Sequence, residues 1–268
     1  MIEIIEKIFK DIDKLSSKIL KDFNANDIHD FRVEVKKLRA FLRLLDIKGD
    51  GHVIPKLLKT FYRDVGNVRN IQLYVQSLFE YIKARNVKKP GEYIKLLNNE
   101  KKYWKKEARN LIKDNDFSKT KEKILEELPP KLEKHSIKKF VQNKLEDLKL
   151  QLEYLKDDNP LHSIRKILKD IFYNWDYIKY YADLPAVISN KEALKRLTAT
   201  LGEFIDKFMQ LEFLKPAYLD KINDADEKIL LQKIRTSWLR QKRIIKQKLQ
   251  PDLIVLKKQL NNFELSVE

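Results

Sequence analysis

The sequence predicts an all-α protein built as two four-helix bundles from an internal duplication. Three observations predict it. Only 5 glycines and 8 prolines are spread over 268 residues, a composition that favours helices. Apolar residues recur at three- and four-residue spacing along the chain, and no stretch alternates apolar and polar as a strand would. A histidine-headed helix of unusual charge occurs twice, with His29 to His162 spanning 133 residues and Gly66 to Gly202 spanning 136. A period of that size marks a repeated bundle rather than a solenoid unit.

Taken in order, residues 2–23 carry Ile5, Ile8, Phe9, Ile12, Leu15 and Ile19 on one face and form the first amphipathic helix. Asn24-Ala25-Asn26-Asp27 supplies a turn, with Asp27 as N-cap of a helix over 27–45. That helix ends near Gly49-Asp50-Gly51, and Pro55 opens the next. Residues 56–81 form a long helix in which Gly66 signals close packing of backbones. After the Lys88-Lys89-Pro90-Gly91 turn comes a fourth helix, 92–113, then a short one over 117–128. Pro129-Pro130 is the strongest boundary, dividing the chain into halves 1–130 and 131–268. The second half repeats the order: a helix over 135–155, a histidine-headed helix over 161–175 entered through Asp157-Asp158-Asn159-Pro160, a third over 190–214 and a fourth over 226–250. Pro251 is expected to end that helix and a short tail helix to follow.

The organising stretch is DIHDFRVEVKKLRAFLRLL, residues 27–45, with its counterpart LHSIRKILKDIFYNW at 161–175. Helical geometry places His29, Arg32, Lys36, Arg39 and Arg43 within an arc of roughly 80°. Phe31, Val35, Leu38, Phe41, Leu42 and Leu45 fall opposite. In the second stretch His162, Arg165, Lys166, Lys169 and Tyr173 share one face, and Ile164, Ile167, Leu168, Ile171 and Trp175 the other. A charged helix face is ordinarily just solvated, but such faces mix signs because like charges four residues apart repel. Here Asp30, Glu34 and Asp170 all lie off the arcs, so the rows are purely cationic. Two such rows, each headed by histidine, point to an anion site.

Charge and composition bound the function. The net charge is +16, a self-repulsive field suited to a polyanionic partner. Both halves contribute, with 29 basic against 20 acidic residues up to Pro130 and 27 against 20 after it. The absence of cysteine excludes disulfides and thiolate metal sites. No run approaches the roughly 18 apolar residues of a membrane span, and acids interrupt residues 1–20 where a signal peptide would be apolar. The expectation is a soluble cytoplasmic protein without a cofactor, metal or membrane partner.

Arginine's planar fork holds two phosphate oxygens, and lysine is a mobile point charge. Donors at successive turns, about 5.4 Å apart, suit a chain of anionic groups better than one small ligand. Histidine beside them is pushed toward neutrality by cations and toward protonation by an arriving phosphate. His29 and His162 have an alternative as N-terminal helix caps, and His52 and His135 read as surface residues. Lys56, Lys59 and Arg63 on the third helix, and Arg69 after Gly66, are further site candidates. Lys102, Lys105, Arg109, Arg235, Lys242 and Arg243 on the fourth helices are weaker ones, for which ordinary solvated charge is an equal reading.

These residues resemble the CHAD domain, the conserved histidine α-helical domain. HDFRVEVKKLRAFLR from His29 and HSIRKILKDIFY from His162 are similar to its histidine-plus-basic hallmark. Each is followed by a glycine-bearing helix, Val65-Gly66-Asn67-Val68-Arg69-Asn70 and Leu201-Gly202-Glu203-Phe204-Ile205-Asp206. The resemblance implies two bundles related by a pseudo-two-fold, whose basic helices meet at a surface that binds inorganic polyphosphate without catalysis, the two together forming one domain. It further implies that sulfate or phosphate occupies the site in crystals and that polyphosphate granules are a place of association. Two departures stand out: Asn70 replaces an acidic residue, with Gln72 two further on, and Phe172 replaces an arginine.

Two rivals follow from the same residues. Nucleic acid is also a polyanion, but single-strand binders offer exposed aromatic platforms, and here only Tyr173 lies with the cationic rows. His29-Asp30-Phe31-Arg32 looks like a histidine-kinase phosphoacceptor box, yet Glu34 stands where such boxes carry proline and no glycine-rich nucleotide site exists. Phosphohydrolase chemistry would need converging His and Asp ligands, and four scattered histidines do not supply them.

Overall fold

In the computed structural model, residues 1–45, 54–113, 116–155 and 157–263 are described, and every regular element among them is helical. The expected turn at Gly49-Asp50-Gly51 and the placement of His52 lie outside the described residues. The first half contains α1 (Ile2–Asp22), α2 (Ala25–Leu45), α3 (Lys56–Arg85), α4 (Gly91–Ile112) and α5 (Ser118–Glu126). The second contains α6 (Lys134–Glu153), α7 (Asn159–Tyr173), α8 (Trp175–Ile178), α9 (Ala186–Ser189), α10 (Lys191–Glu212), α11 (Pro216–Leu219) and α12 (Ala225–Asn261).

Packing follows the same sequence in both halves. Helix α2 lies between α1 and α3, and α3 packs on α4; α7 lies between α6 and α10, and α10 packs on α12. The halves join chiefly where α2 meets α7 and α6. The apolar arcs expected of the two histidine helices are buried: Phe31, Val35 and Leu38 in α2, and Ile164, Leu168 and Ile171 in α7, are all at 0 % exposure. Phe31 meets Phe61 of α3 edge-on at 5.2 Å.

The apolar interior does not divide at Pro129-Pro130. One cluster joins α1, α2 and the start of α3 to α6, α7, α10 and the end of α12. The other joins the later turns of α3 and the start of α4 to the 211–222 segment and the first turns of α12. Each core draws on residues from both sides of Pro130. In the second cluster the Tyr93 hydroxyl donates to the Phe213 carbonyl at 2.5 Å, and Tyr74 stacks edge-on with Trp238 at 5.4 Å. Above it, the Glu227 carboxylate of α12 accepts from the Glu92 and Tyr93 amides that open α4, both at 3.0 Å. Glu92 in turn accepts from the Asn223 and Asp224 amides at 2.8 and 3.0 Å. Glu227 thus satisfies first-turn amides of α4, and Glu92 those of the segment that leads into α12.

Several sequence expectations are corrected. Helix α2 starts at Ala25, so Asp27 sits in its first turn rather than at the cap, where it complements the dipole. Helix α3 runs past residue 81 to Arg85, ended by Asn86 in the left-handed conformation. The expected 161–175 helix stops at Tyr173, and Asn174 separates it from α8. Pro251 does not end its helix: α12 continues to Asn261. Proline forfeits one backbone hydrogen bond, but Leu249, Leu253, Leu256 and Leu260 on the flanking turns are all buried in the first cluster and hold the axis.

Candidate anion-binding site

The two cationic rows come together where α2 packs on α7. Lys36 stands at the meeting point, within electrostatic reach of Arg32 on its own helix, of Arg165 and Lys169 on α7, and of Asp206 on α10. Burial, reinforced by those three cations, lowers the Lys36 ammonium to a pKa of about 8. Toward one end His29 interacts with Lys36, Arg32 and Arg69; toward the other His162 interacts with Arg165 and Lys166. The charged groups run without a break from His29 through Lys36 and Arg165 to His162. Burial first, and then these cations, hold both imidazoles below their ordinary value. Neither histidine caps its helix: His29 lies four residues beyond the start of α2 and His162 three beyond the start of α7.

Each row anchors one arginine across a glycine of the neighbouring helix. Arg32 spans α3 at Gly66, donating from Nη1 to the Tyr62 carbonyl at 3.0 Å with its guanidinium 4.2 Å from the Tyr62 ring. A Cβ at Gly66 would collide with Nη1 and stand 2.9 Å from Cζ. Arg165 spans α10 at Gly202 in the same way, with Nε and Nη2 3.5 Å from where a Cβ would be. The Arg165 Nε is buried and has no hydrogen-bond acceptor among the described residues. A buried cationic donor without an acceptor is costly, and an anion is one group that would satisfy it. Close packing at Gly66, expected between backbones, is therefore packing of a stripe arginine onto a helix.

The remaining candidates divide. Arg39 shares the Tyr62 ring with Arg32, 5.6 Å from its centroid. Lys169 lies 4.5 Å over Phe172 and 5.5 Å from the Tyr173 ring, and burial raises the Tyr173 hydroxyl while lowering Lys169. Lys166 is exposed beside His162. Arg69 reaches back to the Ala25 carbonyl that opens α2, and Gln72, two beyond Asn70, donates to the Phe23 carbonyl at 2.8 Å. Lys59 is exposed on the same face of α3 as Gly66, two turns earlier.

Three expected donors are committed elsewhere or lie apart. Arg43 donates to both oxygens of the buried Asp170 at 2.7 and 3.0 Å, and Lys144 of α6 adds a contact at 3.2 Å. Its charge is spent on the seam between halves. Arg63 turns to Asp64 at 2.9 Å and toward Trp104 of α4. Lys56 is exposed, with no contact to either row among the described residues. Of the weaker candidates, Lys105 and Arg109 lie over the Phe23 ring at 5.0 and 4.8 Å, and Lys242 pairs with Asp158 at 2.7 Å. Lys102, Arg235 and Arg243 are exposed, as is His135.

Sequence reasoning missed Tyr62 and Asp206. Tyr62 lies one turn before Gly66, where a ring under the arginine was to be sought. Asp206 follows Gly202 by four residues, as Asn70 follows Gly66. The first half keeps Arg69 and lacks the acid; the second keeps Asp206 and has Ile205 in place of the arginine. Asp206 answers by acting on Arg69 and Lys36 from across the seam. A hollow of about 160 Å³ between α3 and α10 is lined by Asn70 and Asp206 together. A second, of about 360 Å³, is lined by His162, Ser163 and Phe208.

Paired histidine helices, each laying an arginine over a glycine, agree with a sequence match that extends over residues 3–215 to the CHAD domain. The chain belongs to the CHAD domain family. The crystal structure of the CHAD domain from the plant Ricinus communis superimposes with a TM-score of 0.71, covering 98 % of this chain and 90 % of that one at 17 % identity. At that identity the likeness speaks for the fold, and it extends the CHAD architecture beyond residue 215 to α12. No curated protein matches the sequence. Among the described residues no group of three His, Cys, Asp or Glu side chains is placed to hold a metal ion. No helix among them is long and apolar enough to cross a membrane.

Proposed function

We propose that this CHAD domain captures inorganic polyphosphate, without catalysis, along the cationic seam of α2 and α7. The observation that carries the reading is Lys36, whose surroundings join Arg32 to Arg165 and Lys169 and so make one site of two rows. Arg165, with its unpaired Nε, chelates phosphate oxygens. Arg39, Lys166 and Lys169 add charge along the seam, and His29 and His162 become double donors when protonated. Most aromatic residues of these helices lie on the opposite, apolar faces, which argues against bases as ligands. Phe31, Phe41 and Trp175 are buried at 0, 3 and 9 % exposure, and the Tyr62 face is covered by arginine. A chain of phosphates needs only donors at intervals, which the seam offers.

The test is competition at fixed salt between long-chain polyphosphate and single-stranded DNA or RNA of matched phosphate count. Polyphosphate displaces nucleic acid in this account, with affinity falling steeply as salt rises. Preference for nucleic acid at equal charge would overturn it. Phosphate release on incubation with a divalent metal would overturn the non-catalytic part.

A further inference from the structure

Lys36 combines three properties that anion binding alone does not require. It is half-buried, it has no hydrogen-bond or ion-pair partner among the described residues, and it lies beside an arginine whose buried Nε is free to take a phosphate oxygen. We propose that Lys36 is an amine nucleophile set inside the anion site, so that small acyl phosphates acylate it in preference to the exposed lysines of the chain. The inference rests on the reading of the seam as a phosphate site.

Geometry supplies both halves of the reaction. Arg165 and Lys169 on α7 hold the phosphate end of the donor, which puts its carbonyl carbon near the Lys36 Nζ. The ammonium first gives a proton to solvent. The Nζ lone pair then attacks the carbonyl carbon, the carbon–oxygen bond to phosphorus breaks, and inorganic phosphate leaves with that electron pair. The carbonyl re-forms as phosphate is expelled, the acylated nitrogen gives its remaining extra proton to the departing phosphate, and a neutral amide remains. No oxidant, metal or further reactant is needed. The cations that hold the phosphate also stabilise it as leaving group.

The groups facing Lys36 favour its free amine. Arg32 and His29 on α2, with Arg165 and Lys169 on α7, oppose its charge, and Asp206 on α10 favours it. With burial, the balance holds it at about 8. At that pH an ordinary lysine of pKa near 10.4 is a free amine in roughly one molecule in 250. Cationic neighbours and desolvation activate lysine nucleophiles in the same way. The product loses its charge at the centre of the seam, so acylation also weakens polyanion capture.

The experiment treats the intact protein at pH 8 with acetyl phosphate, and in parallel with the phosphate-free donor N-hydroxysuccinimidyl acetate, and follows each lysine by peptide mass spectrometry. Lys7 and Lys149, both exposed, serve as references. Lys36 is expected to react with acetyl phosphate at least about tenfold faster than either, to lose most of that advantage with the phosphate-free donor, and to be protected by tripolyphosphate. Equal rates at Lys36 and the references overturn the inference, as does an advantage indifferent to the donor's phosphate. Arg165→Gln is expected to remove the acetyl phosphate preference; if that variant does not fold, the wild-type rate ratios decide alone. Retention of polyphosphate on the same preparation separates the two claims. Retention without selective acetylation contradicts the nucleophile and leaves the capture reading standing, whereas selective acetylation without retention does the reverse.

Discussion

Lys36 is a cation that the fold places among other cations, and its behaviour with pH follows from that. In the ligand-free protein its pKa is about 8, below the unfolded value near 10.4. Between those values the unfolded chain binds more protons, so stability rises with pH across that window. A bound phosphate reverses the preference by favouring the ammonium, so affinity falls as pH rises beyond about 8. His29 and His162, held below their ordinary value, act alike at lower pH: binding takes up protons, and affinity rises as pH falls from about 8 to 6. Titration calorimetry in buffers of different ionisation enthalpy is expected to show that uptake; an affinity flat across the range would mean that the histidines do not titrate with the ligand. Lys36→Met relieves the repulsion. The variant is expected to gain about 1 kcal/mol of stability at neutral pH while losing about tenfold in polyphosphate affinity. A loss of stability on denaturant unfolding would show that the ammonium is not under repulsion.

At the scale of elements, an arginine lies across a glycine where each histidine helix meets its neighbour. The two glycines are not equally constrained, and they predict different outcomes. Alanine at Gly66 drives the Arg32 guanidinium off the Tyr62 carbonyl and ring, a buried charged hydrogen bond whose loss costs about 1–3 kcal/mol. At Gly202 the added Cβ meets Arg165 at ordinary contact distance, so alanine's better helix propensity prevails by up to about 1 kcal/mol. Opposite shifts in thermal midpoint for Gly66→Ala and Gly202→Ala are expected; equal destabilisation would remove the distinction drawn here. The helices themselves were legible because burial repeats every 3.6 residues, and the arcs of α2 and α7 are buried or cationic as their spacing requires. The end of α12 was not legible: propensity argues for a stop at Pro251, and only buried leucines brought in from distant helices outweigh it.

For the whole molecule, the all-α class, the glycine landmarks and the cationic rows could be read from the chain, because each rests on a local pattern of spacing. The two apolar clusters could not, since each assembles residues more than a hundred positions apart. Arg43 shows the same limit at the site. Its spacing places it in the row, but Asp170, 127 residues later, takes both of its hydrogen bonds. Asp206 came into the site by the same route, supplying across the seam the carboxylate that Asn70 lacks. Of the net charge of +16, part is paired in this way, as Arg43 is with Asp170, while Lys36 on α2 has no such partner among the described residues. The most direct test of that arrangement is a crystal of the protein soaked in tripolyphosphate. Phosphates gathered between α2 and α7, within reach of Lys36, Arg165 and Lys169, are the expected result; phosphates collected on an unrelated face, with that seam empty, would contradict the account.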